Sequence, residues 1–263
     1  MLKSIWKTVA TLALLSYNLP CFAAYTLNMS PGVTEISRDI YALHMITLWV
    51  CIAIGIIVFS VLFYALIWHR KSRGAVAANF HESLSVEIIW TIIPFIILIA
   101  MAWPATKLLI KMDNTDDSAM TIKITGYMWR WHYRYQGEGV EFMSTISTPQ
   151  DQIKNMAPKG INYLLEVDNP IVVPINKKIR FLTTANDVIH SWWVPQLGIK
   201  KDAIPGFINE TWAIIDTPGT YRGQCAELCG VNHGFMPIVL IAKTQADFDK
   251  WLAQQKETND ESF

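Results

Sequence analysis

The residues best suited to chemistry lie in one short stretch near the C-terminus. Cys225 and Cys229 are followed by His233 and Met236, so two thiols, an imidazole and a thioether are available within one loop. Soft sulfur ligands combined with imidazole favour copper among the biological metals. Calcium or magnesium would need more carboxylates than this stretch contains. The spacing therefore indicates a copper site.

Other interpretations of the stretch remain open at this point. A structural zinc site rarely uses methionine, and a mononuclear copper site uses one cysteine, two histidines and a weak axial methionine, which leaves one thiol over. Two thiolates can instead bridge two copper ions, and the second histidine that this requires is best supplied by His190. A disulfide between Cys225 and Cys229 suits an exported protein but leaves His233 and Met236 without a role.

These ligands must be positioned by a β-rich region. From Met120 to about Ala242, short runs of Val, Ile, Thr and aromatic residues alternate with Gly, Pro, Asn and Asp, which predicts an all-β sandwich or barrel. The predicted strands include residues 121–124, 163–167, 179–182 and 237–241. Gln245 to Gln255 carries apolar residues at helical spacing and predicts a short C-terminal helix.

Two apolar segments precede this region. Met45 to Trp68 and Ile88 to Thr106 contain no Asp, Glu, Lys, Arg or His, and each is long enough to span a bilayer. Arg70, Lys71 and Arg73 lie between them, which indicates that this loop faces the cytoplasm. Two buried helices of a soluble protein are the alternative, which the basic loop and the length of the runs disfavour.

The first two dozen residues have the features of a secretory signal: an early positive charge, a short apolar core and small residues near Ala24. An uncleaved N-terminal helix is the alternative, but its apolar core is too short to span a bilayer. The predicted organisation is a signal peptide at 1–24, a two-helix anchor at 25–112 and an exported domain at 113–263. The 22 basic and 22 acidic residues balance, which argues against nucleic acid as the main partner.

The combined pattern resembles subunit II of the cytochrome c oxidases. The resemblance runs through residues 187–192, 202–206 and 221–237, and it covers nearly the whole chain, including the two-helix anchor. It implies a cupredoxin-like Greek-key fold that carries a binuclear copper A centre. The copper ligands that it implies are His190, Cys225, the backbone carbonyl of Glu227, Cys229, His233 and Met236. It also implies that the Glu227 carboxylate binds a magnesium ion shared with subunit I, and a hard oxygen ligand suits that ion.

Two further residues take a role from the resemblance. Trp129, Trp131, Tyr133 and Tyr135 recur with a period of two, which predicts one face of a strand and, for most of them, simple core packing. The resemblance implies that electrons from cytochrome c enter at Trp129. Glu87 precedes the second apolar helix, where a carboxylate is favourable through the helix dipole alone. The resemblance implies that it stands at the entrance of a proton channel continuing in subunit I.

The expected function is an electron relay from cytochrome c to haem in subunit I, where oxygen is reduced to water with proton translocation. The expected partners are subunit I and other oxidase subunits, cytochrome c and membrane lipid, with the copper domain on the outer side of a bacterial inner membrane. Because cytochrome c is typically basic, surface acids should steer its docking. The candidates are Glu138, Glu141, Asp168 and Asp187.

Three related functions compete with this expectation. A quinol oxidase subunit II would lack the copper ligands, which are all present here. A copper chaperone of thioredoxin type would need alternating strands and helices. A nitrous oxide reductase shares the copper motif but is a much longer soluble protein. No Cys-x-x-Cys-His motif for haem attachment occurs in the sequence, so the electron donor must be a separate protein or domain.

Overall fold

Two long helices open the described part of the chain, which in this computed structural model covers residues 28–79 and 81–260. They are α1 (Glu35–Trp68) and α2 (Leu84–Asp113), joined by a link that contains a short 3₁₀ turn at Lys71–Arg73. Their most apolar windows have mean hydropathies of 2.9 and 2.3, and none of the residues in those windows is buried within the chain. Helices of this length and composition suit a bilayer, as the sequence predicted.

Helix α1 begins well before the apolar run that revealed it. The Thr34 side chain accepts a hydrogen bond from the Ser37 backbone, and the Ser37 side chain accepts one from the Thr34 backbone. This reciprocal arrangement satisfies two backbone donors that a helix start otherwise leaves unpaired. The first turns of α1 therefore lie outside the apolar segment that starts at Met45.

In the described part of the chain, ten strands form two five-stranded sheets after the anchor. They are β1 (Met120–Tyr127), β2 (Arg130–Tyr135), β3 (Val140–Ser144), β4 (Ile171–Pro174), β5 (Lys178–Ala185), β6 (His190–Val194), β7 (Ile199–Ala203), β8 (Asn209–Ile214), β9 (Gly219–Cys225) and β10 (Pro237–Lys243). One sheet has the order β3-β2-β1-β5-β8 and the other β4-β10-β9-β6-β7. The β1–β5 and β4–β10 pairs are parallel and the others antiparallel. The predicted all-β domain behind a two-helix anchor is confirmed.

The core between the sheets is rich in aromatic residues. Trp131, Tyr133 and Tyr135 alternate along β2 and are fully buried, as their period of two predicted. The Tyr135 hydroxyl donates to the Val172 carbonyl at 2.7 Å and accepts from the Val172 amide at 2.9 Å, which joins β2 of one sheet to β4 of the other. Trp251 packs on Tyr135 from the C-terminal helix.

The C-terminal helix and one predicted strand differ from expectation. A four-residue helix, α3 (Gln150–Ile153), lies in the long connection between β3 and β4, and the C-terminal helix α4 (Gln245–Asp260) runs beyond the predicted end at Gln255. The prediction of a strand at 163–167 is wrong. The segment begins in a turn and contains only an isolated bridge at Val167. Leu164 has a φ of 61°, which is incompatible with an extended strand.

Hydrogen bonds and an ion pair connect the anchor to the sandwich. The Thr34 hydroxyl donates to the Leu197 carbonyl at 2.9 Å. Arg38 of α1 lies 2.6 Å from Asp216, between β8 and β9. The Trp212 indole donates to a backbone carbonyl near the end of α2 at 3.3 Å. Both helices therefore contact the domain at the same end of the hairpin.

Candidate metal centre

The order of the strands brings the predicted ligands together. Strand β9 ends at Cys225, β10 begins directly after Met236, and the two strands are antiparallel neighbours. Residues 226–236 thus form a loop at one end of these two interior strands. Strand β6 lies on the other side of β9, with Trp192 opposite Cys225. Since β6 starts two residues before Trp192, His190 lies beside this loop.

Four predicted ligand side chains form a row. The His190 Nδ1 atom lies 3.9 Å from the Cys225 sulfur, the two cysteine sulfurs lie 3.8 Å apart, and the Cys229 sulfur lies 3.5 Å from His233 Nδ1. Ligand atoms of His190, Cys225 and Cys229 all lie within 4.8 Å of one another, close enough to hold a metal ion. Both cysteines are free thiols. The disulfide alternative is not what the structure contains, since a disulfide joins its sulfurs at about 2.05 Å.

The loop backbone adds a further oxygen to this row. The Cys225 thiol lies 3.3 Å from the Glu227 carbonyl oxygen, while the Glu227 side chain is exposed. Met236 is buried, and its carbonyl accepts a hydrogen bond from the Cys225 amide at 3.1 Å, which closes the loop at its base. The structure thus places the Glu227 carbonyl beside the thiols and buries Met236 where the loop meets β10.

The two thiols differ in acidity. Burial opposes ionisation of Cys225, but hydrogen bonds from His190 and from the backbone outweigh it and lower the Cys225 pKa to about 7. Burial and the neighbouring Cys225 charge raise the Cys229 pKa to about 12. The first thiol therefore ionises more readily than the second, because the charge on Cys225 opposes ionisation of Cys229. Metal binding to such a pair releases protons.

His190 is enclosed on several sides. Its ring meets Trp131 edge to face, with the ring centroids 6.0 Å apart. A Cβ atom added to Gly126 would lie 2.7 Å from the His190 Cδ2 atom, so only glycine fits beside the ring. Asp187 Oδ1 lies 2.8 Å from His190 Nε2. Burial alone would lower the His190 pKa, but hydrogen bonds to Cys225 and Asp187 raise it.

The residue pattern predicts neither the contact of Gly126 with His190 nor the hydrogen bond of Asp187 with it. Asp187 was considered only as a docking charge, although an acid three residues before a predicted metal-binding histidine is a detectable signal. Gly126 gave no such signal, because its contact with His190 depends on how β1 and β6 face each other across the two sheets.

Trp129 lies in the two-residue turn between β1 and β2 and not in the strand. It therefore does not belong to the strand face predicted for it with Trp131, Tyr133 and Tyr135. Its indole Nε1 donates to the Cys229 carbonyl at 3.0 Å. Gly230 has a φ of 114°, and a Cβ atom there would lie 3.2 Å from the Trp129 ring. The half-buried indole is thus hydrogen-bonded directly to the loop of residues 226–236, which we call the thiol loop.

A surface cleft of about 320 Å³ lies beside this tryptophan. The residues that line it are Trp129, Ile146, Gln150, Ile153, Asn232 and Phe235. One wall comes from the connection between β3 and β4 and the other from the thiol loop. Trp129 is therefore accessible from a partly apolar depression next to the candidate metal centre.

Glu87 lies far from this centre. It occupies the first turn of α2, where its backbone amide bonds the Ser83 carbonyl at 3.0 Å. At 1.5 Å per residue, the helix carries it about 36 Å from Lys111, near which α2 meets the sandwich. Any role of Glu87 is therefore separate from the thiol loop.

The four acids considered for docking all have partners within the chain. The pairs are Glu138 with Lys256, Glu141 with Arg134, Asp168 with Thr145, and Asp187 with His190. Two of them are neutralised by a basic side chain. The negative field that they could offer a basic partner is weaker than their number suggests.

The comparisons with known proteins cover both parts of the chain. The family profile described as the periplasmic domain of cytochrome c oxidase subunit II matches residues 120–243, and the profile of its transmembrane domain matches residues 5–108. Together the two matches extend over most of the sequence.

Individual relatives agree with these profiles. The chain is 42% identical to a probable cytochrome c oxidase subunit 2 of Rickettsia prowazekii over 97% of its own length and 82% of the relative's. It is 42% identical to cytochrome c oxidase subunit 2 of Cyanidium caldarium over 83% of this chain and 86% of that one. Among solved structures, the periplasmic domain of subunit II of cytochrome oxidase from Bradyrhizobium japonicum is 41% identical, with a TM-score of 0.49, over 55% of this chain and 99% of that one.

Proposed function

This chain belongs to the cytochrome c oxidase subunit II family, and from that premise we propose that it carries electrons from a cytochrome c through a binuclear copper A centre to haem in subunit I. The observation that supports this most directly is the row of His190, Cys225, Cys229 and His233. Two buried thiols that are not joined in a disulfide, with an imidazole at each end, form a donor set that fits copper.

The residues fit two copper ions better than one metal. A mononuclear copper site would use only one of the two thiols, and zinc would leave Met236 unused. The proposed ligands are His190, Cys225, the Glu227 carbonyl, Cys229, His233 and Met236. When bound by these residues, a pair of copper ions would supply a one-electron relay. The loop, its flanking strands β9 and β10, and the first residue of β6 would hold these ligands in place.

We assign Trp129 as the residue at which electrons enter. Its indole reaches the Cys229 carbonyl through one hydrogen bond, and the cleft beside it offers a place for the edge of a donor cytochrome c to dock. The apolar side chains in that cleft suit a contact that excludes water. The four acids considered for docking have partners within the chain, so their electrostatic attraction for cytochrome c should be modest.

The remaining roles concern the rest of the oxidase. The exposed Glu227 carboxylate would bind magnesium at the contact with subunit I, and Glu87 would admit protons to a channel continuing there for proton translocation. Other oxidase subunits and lipid would surround the anchor. We propose that the chain is a multi-pass protein of a bacterial inner membrane. Its proposed parts are a signal peptide at residues 1–24, a membrane anchor at 25–112 and a copper domain at 113–263 on the periplasmic side.

Copper content and electron paramagnetic resonance of the purified full-length chain in detergent test the proposal. We expect about two coppers per chain and one unpaired electron spread over both ions. Cys229→Ser should abolish that signal, whereas Cys51→Ser should retain it, because Cys51 is exposed on α1 and far from the loop in sequence. One copper per wild-type chain, or none, would contradict the binuclear centre.

A further inference from the structure

A cleft of about 290 Å³ opens between the two helices of the anchor, at the end of the hairpin that contacts the sandwich. We call it the anchor cleft. Most of the side chains that line it are apolar, and charged side chains from both helices complete it. A largely apolar concavity with a few polar groups is typical of a ligand site. The lining residues that matter here are Asp39, Ala42, Ile46, Pro104, Lys107 and Lys111.

The charges along the anchor cleft are not paired one to one. The Lys111 amine lies 2.6 Å from a carboxylate oxygen of Glu35 and 2.6 Å from one of Asp39. Two carboxylates therefore share one ammonium group, which leaves an excess of one negative charge. Among the described residues, Lys107 has no carboxylate partner, and its amine lies over the Trp103 ring, 5.0 Å from the centroid. The cleft thus has a positive pole at Lys107 and a negative pole at the two carboxylates.

These poles lie at different depths along the helices. The apolar run of α2 ends at Thr106, so the rise of an α-helix places Lys107 about 1.5 Å beyond it. Lys111 lies about 6 Å further out along the same axis. Its partner Asp39 lies about 9 Å before the apolar run of α1, which begins at Met45. From the membrane outward, the order is therefore apolar side chains, a lysine and then the excess of carboxylate.

This order matches that of a phospholipid whose headgroup ends in a primary amine. The acyl chains of such a lipid lie innermost, the phosphate follows at the edge of the apolar layer, and the ammonium group extends beyond the phosphate. Lys107 can donate to the phosphate, and the Asp39 carboxylate can accept from the ammonium, so both contacts are charge-assisted. The cleft is large enough for a headgroup, and the acyl chains would continue along exposed apolar side chains such as Ile99 and Trp103.

We propose that the anchor cleft binds one aminophospholipid of the surrounding membrane, with its phosphate on Lys107 and its ammonium group on Asp39. Phosphatidylglycerol shares the phosphate but offers no cation to the surplus carboxylate. A choline headgroup carries the cation but has no N–H donor. This inference rests on the proposed function only in placing the anchor in a membrane, and the copper centre takes no part in it.

Native mass spectrometry of the full-length chain released from nanodiscs measures which lipids stay bound. The nanodiscs contain phosphatidylethanolamine, phosphatidylcholine and phosphatidylglycerol in equal amounts. We expect the ethanolamine lipid to be retained about two- to fivefold more than either of the others, as for one partly exposed ion pair. Equal retention of the three lipids would overturn the proposal, because it would show a lipid layer without selectivity.

Two substitutions test the two poles separately. Asp39→Asn should abolish the preference for ethanolamine over choline, whereas Asp113→Asn should keep it, because Asp113 lies at the end of α2 and does not line the cleft. Lys107→Gln should lower retention of the ethanolamine lipid about two- to fivefold. Lys71→Gln is its control, because Lys71 lies at the other end of the hairpin. An unchanged preference in Asp39→Asn, or equal losses in the two lysine variants, would contradict the site.

The complete oxidase in the same nanodiscs distinguishes a lipid from a protein occupant. The preference for the ethanolamine lipid should persist there, and the Lys107→Gln oxidase should retain less of that lipid than the wild type. A preference that is found in the isolated chain and lost in the oxidase would mean that another subunit fills the cleft, which would overturn the proposal. A chain that shows this preference but binds no copper would contradict the electron relay alone, so the two proposals fail separately.

Discussion

Gly126→Ala is expected to damage the proposed copper centre without replacing any of its ligands. The added Cβ atom would lie 2.7 Å from His190 Cδ2, 3.0 Å from Cγ and 3.1 Å from Cβ. Non-bonded carbons prefer about 3.5–4.0 Å, so the imidazole would have to retreat by at least about 0.8 Å. Its retreat is restricted, because Trp131 meets the ring edge to face and Asp187 holds Nε2.

The magnitude follows from that displacement. Metal sites tolerate deviations of about 0.2 Å in their ligand distances, which is well below the shift that alanine demands. Forcing an extra carbon into a packed core costs about 1–3 kcal/mol. If that strain is relieved only by moving His190, the free energy of copper binding becomes less favourable by a similar amount. This corresponds to a drop in affinity of about 5- to 150-fold. Alanine has no backbone penalty here, because the φ of Gly126 is not positive.

Copper titration of the metal-free chain with a competing chelator measures this affinity. Gly234→Ala is the matched control, because it lies in the thiol loop, has no positive φ and has nothing within 4 Å of an added Cβ atom. It should bind copper like the wild type. Wild-type affinity and spectrum in Gly126→Ala would refute the reasoning, since they would mean that the imidazole can move by almost an ångström at no cost to the site.

Three other substitutions test separate parts of the structure. Trp129→Phe removes the indole donor to the Cys229 carbonyl, so copper affinity should fall less than about tenfold, as expected for one neutral hydrogen bond. The rate of reduction by cytochrome c, measured by stopped flow, should fall much more. Equal losses in affinity and rate would contradict this assignment. Tyr135→Phe leaves the Val172 amide and carbonyl unpaired and should lower unfolding stability by about 1–3 kcal/mol; an unchanged denaturation midpoint would disprove it. The hydrogen bond from Arg134 lowers the pKa of Glu141 in the folded protein. The ionised carboxylate therefore stabilises the fold at pH values above the pKa that Glu141 has in the unfolded chain. This stabilisation is lost as the pH falls through the pKa of Glu141 in the folded protein. Because Glu141 is 40% exposed, Glu141→Gln should reduce the loss of stability on acidification by at most about 1 kcal/mol; a steeper acid dependence would show the sign to be wrong.

The row of thiols and imidazoles was largely predictable, because most of its members are close together in sequence. Cys225, Cys229, His233 and Met236 share one loop, and their residue types alone indicate copper. The two membrane helices were also predictable, because their hydropathy is a property of consecutive residues. The placement of His190 beside that loop required the pairing of β6 with β9, which the residue pattern suggested only through a resemblance to a known family.

Interactions between distant elements could not be predicted in the same way. The apolar pattern at 163–167 suits a strand by propensity, but Leu164 adopts a left-handed conformation and Glu166 bonds Arg222 of β9 at 2.6 Å. Tertiary contacts decided that segment against its local preference. The strand predicted for Trp129 has a similar cause. The alternation of aromatic residues in the sequence begins at Trp129, but the backbone forms a tight turn at this residue.

Hydrogen bonds at the junction hold the anchor and the sandwich together. The Thr34 hydroxyl that lies at the start of α1 also donates to Leu197, which follows β6, the strand that begins with His190. Only residues 114–119 separate α2 from β1, and in this link the Thr115 hydroxyl donates to Glu210 of β8 at 2.9 Å. The start of α1 and the link after α2 are thus hydrogen-bonded to the sandwich, and only a short link separates α2 from β1. Because the proposed electron relay would depend on a fixed distance to its acceptor, a domain held this closely by its anchor suits the proposed delivery to a partner within the same membrane.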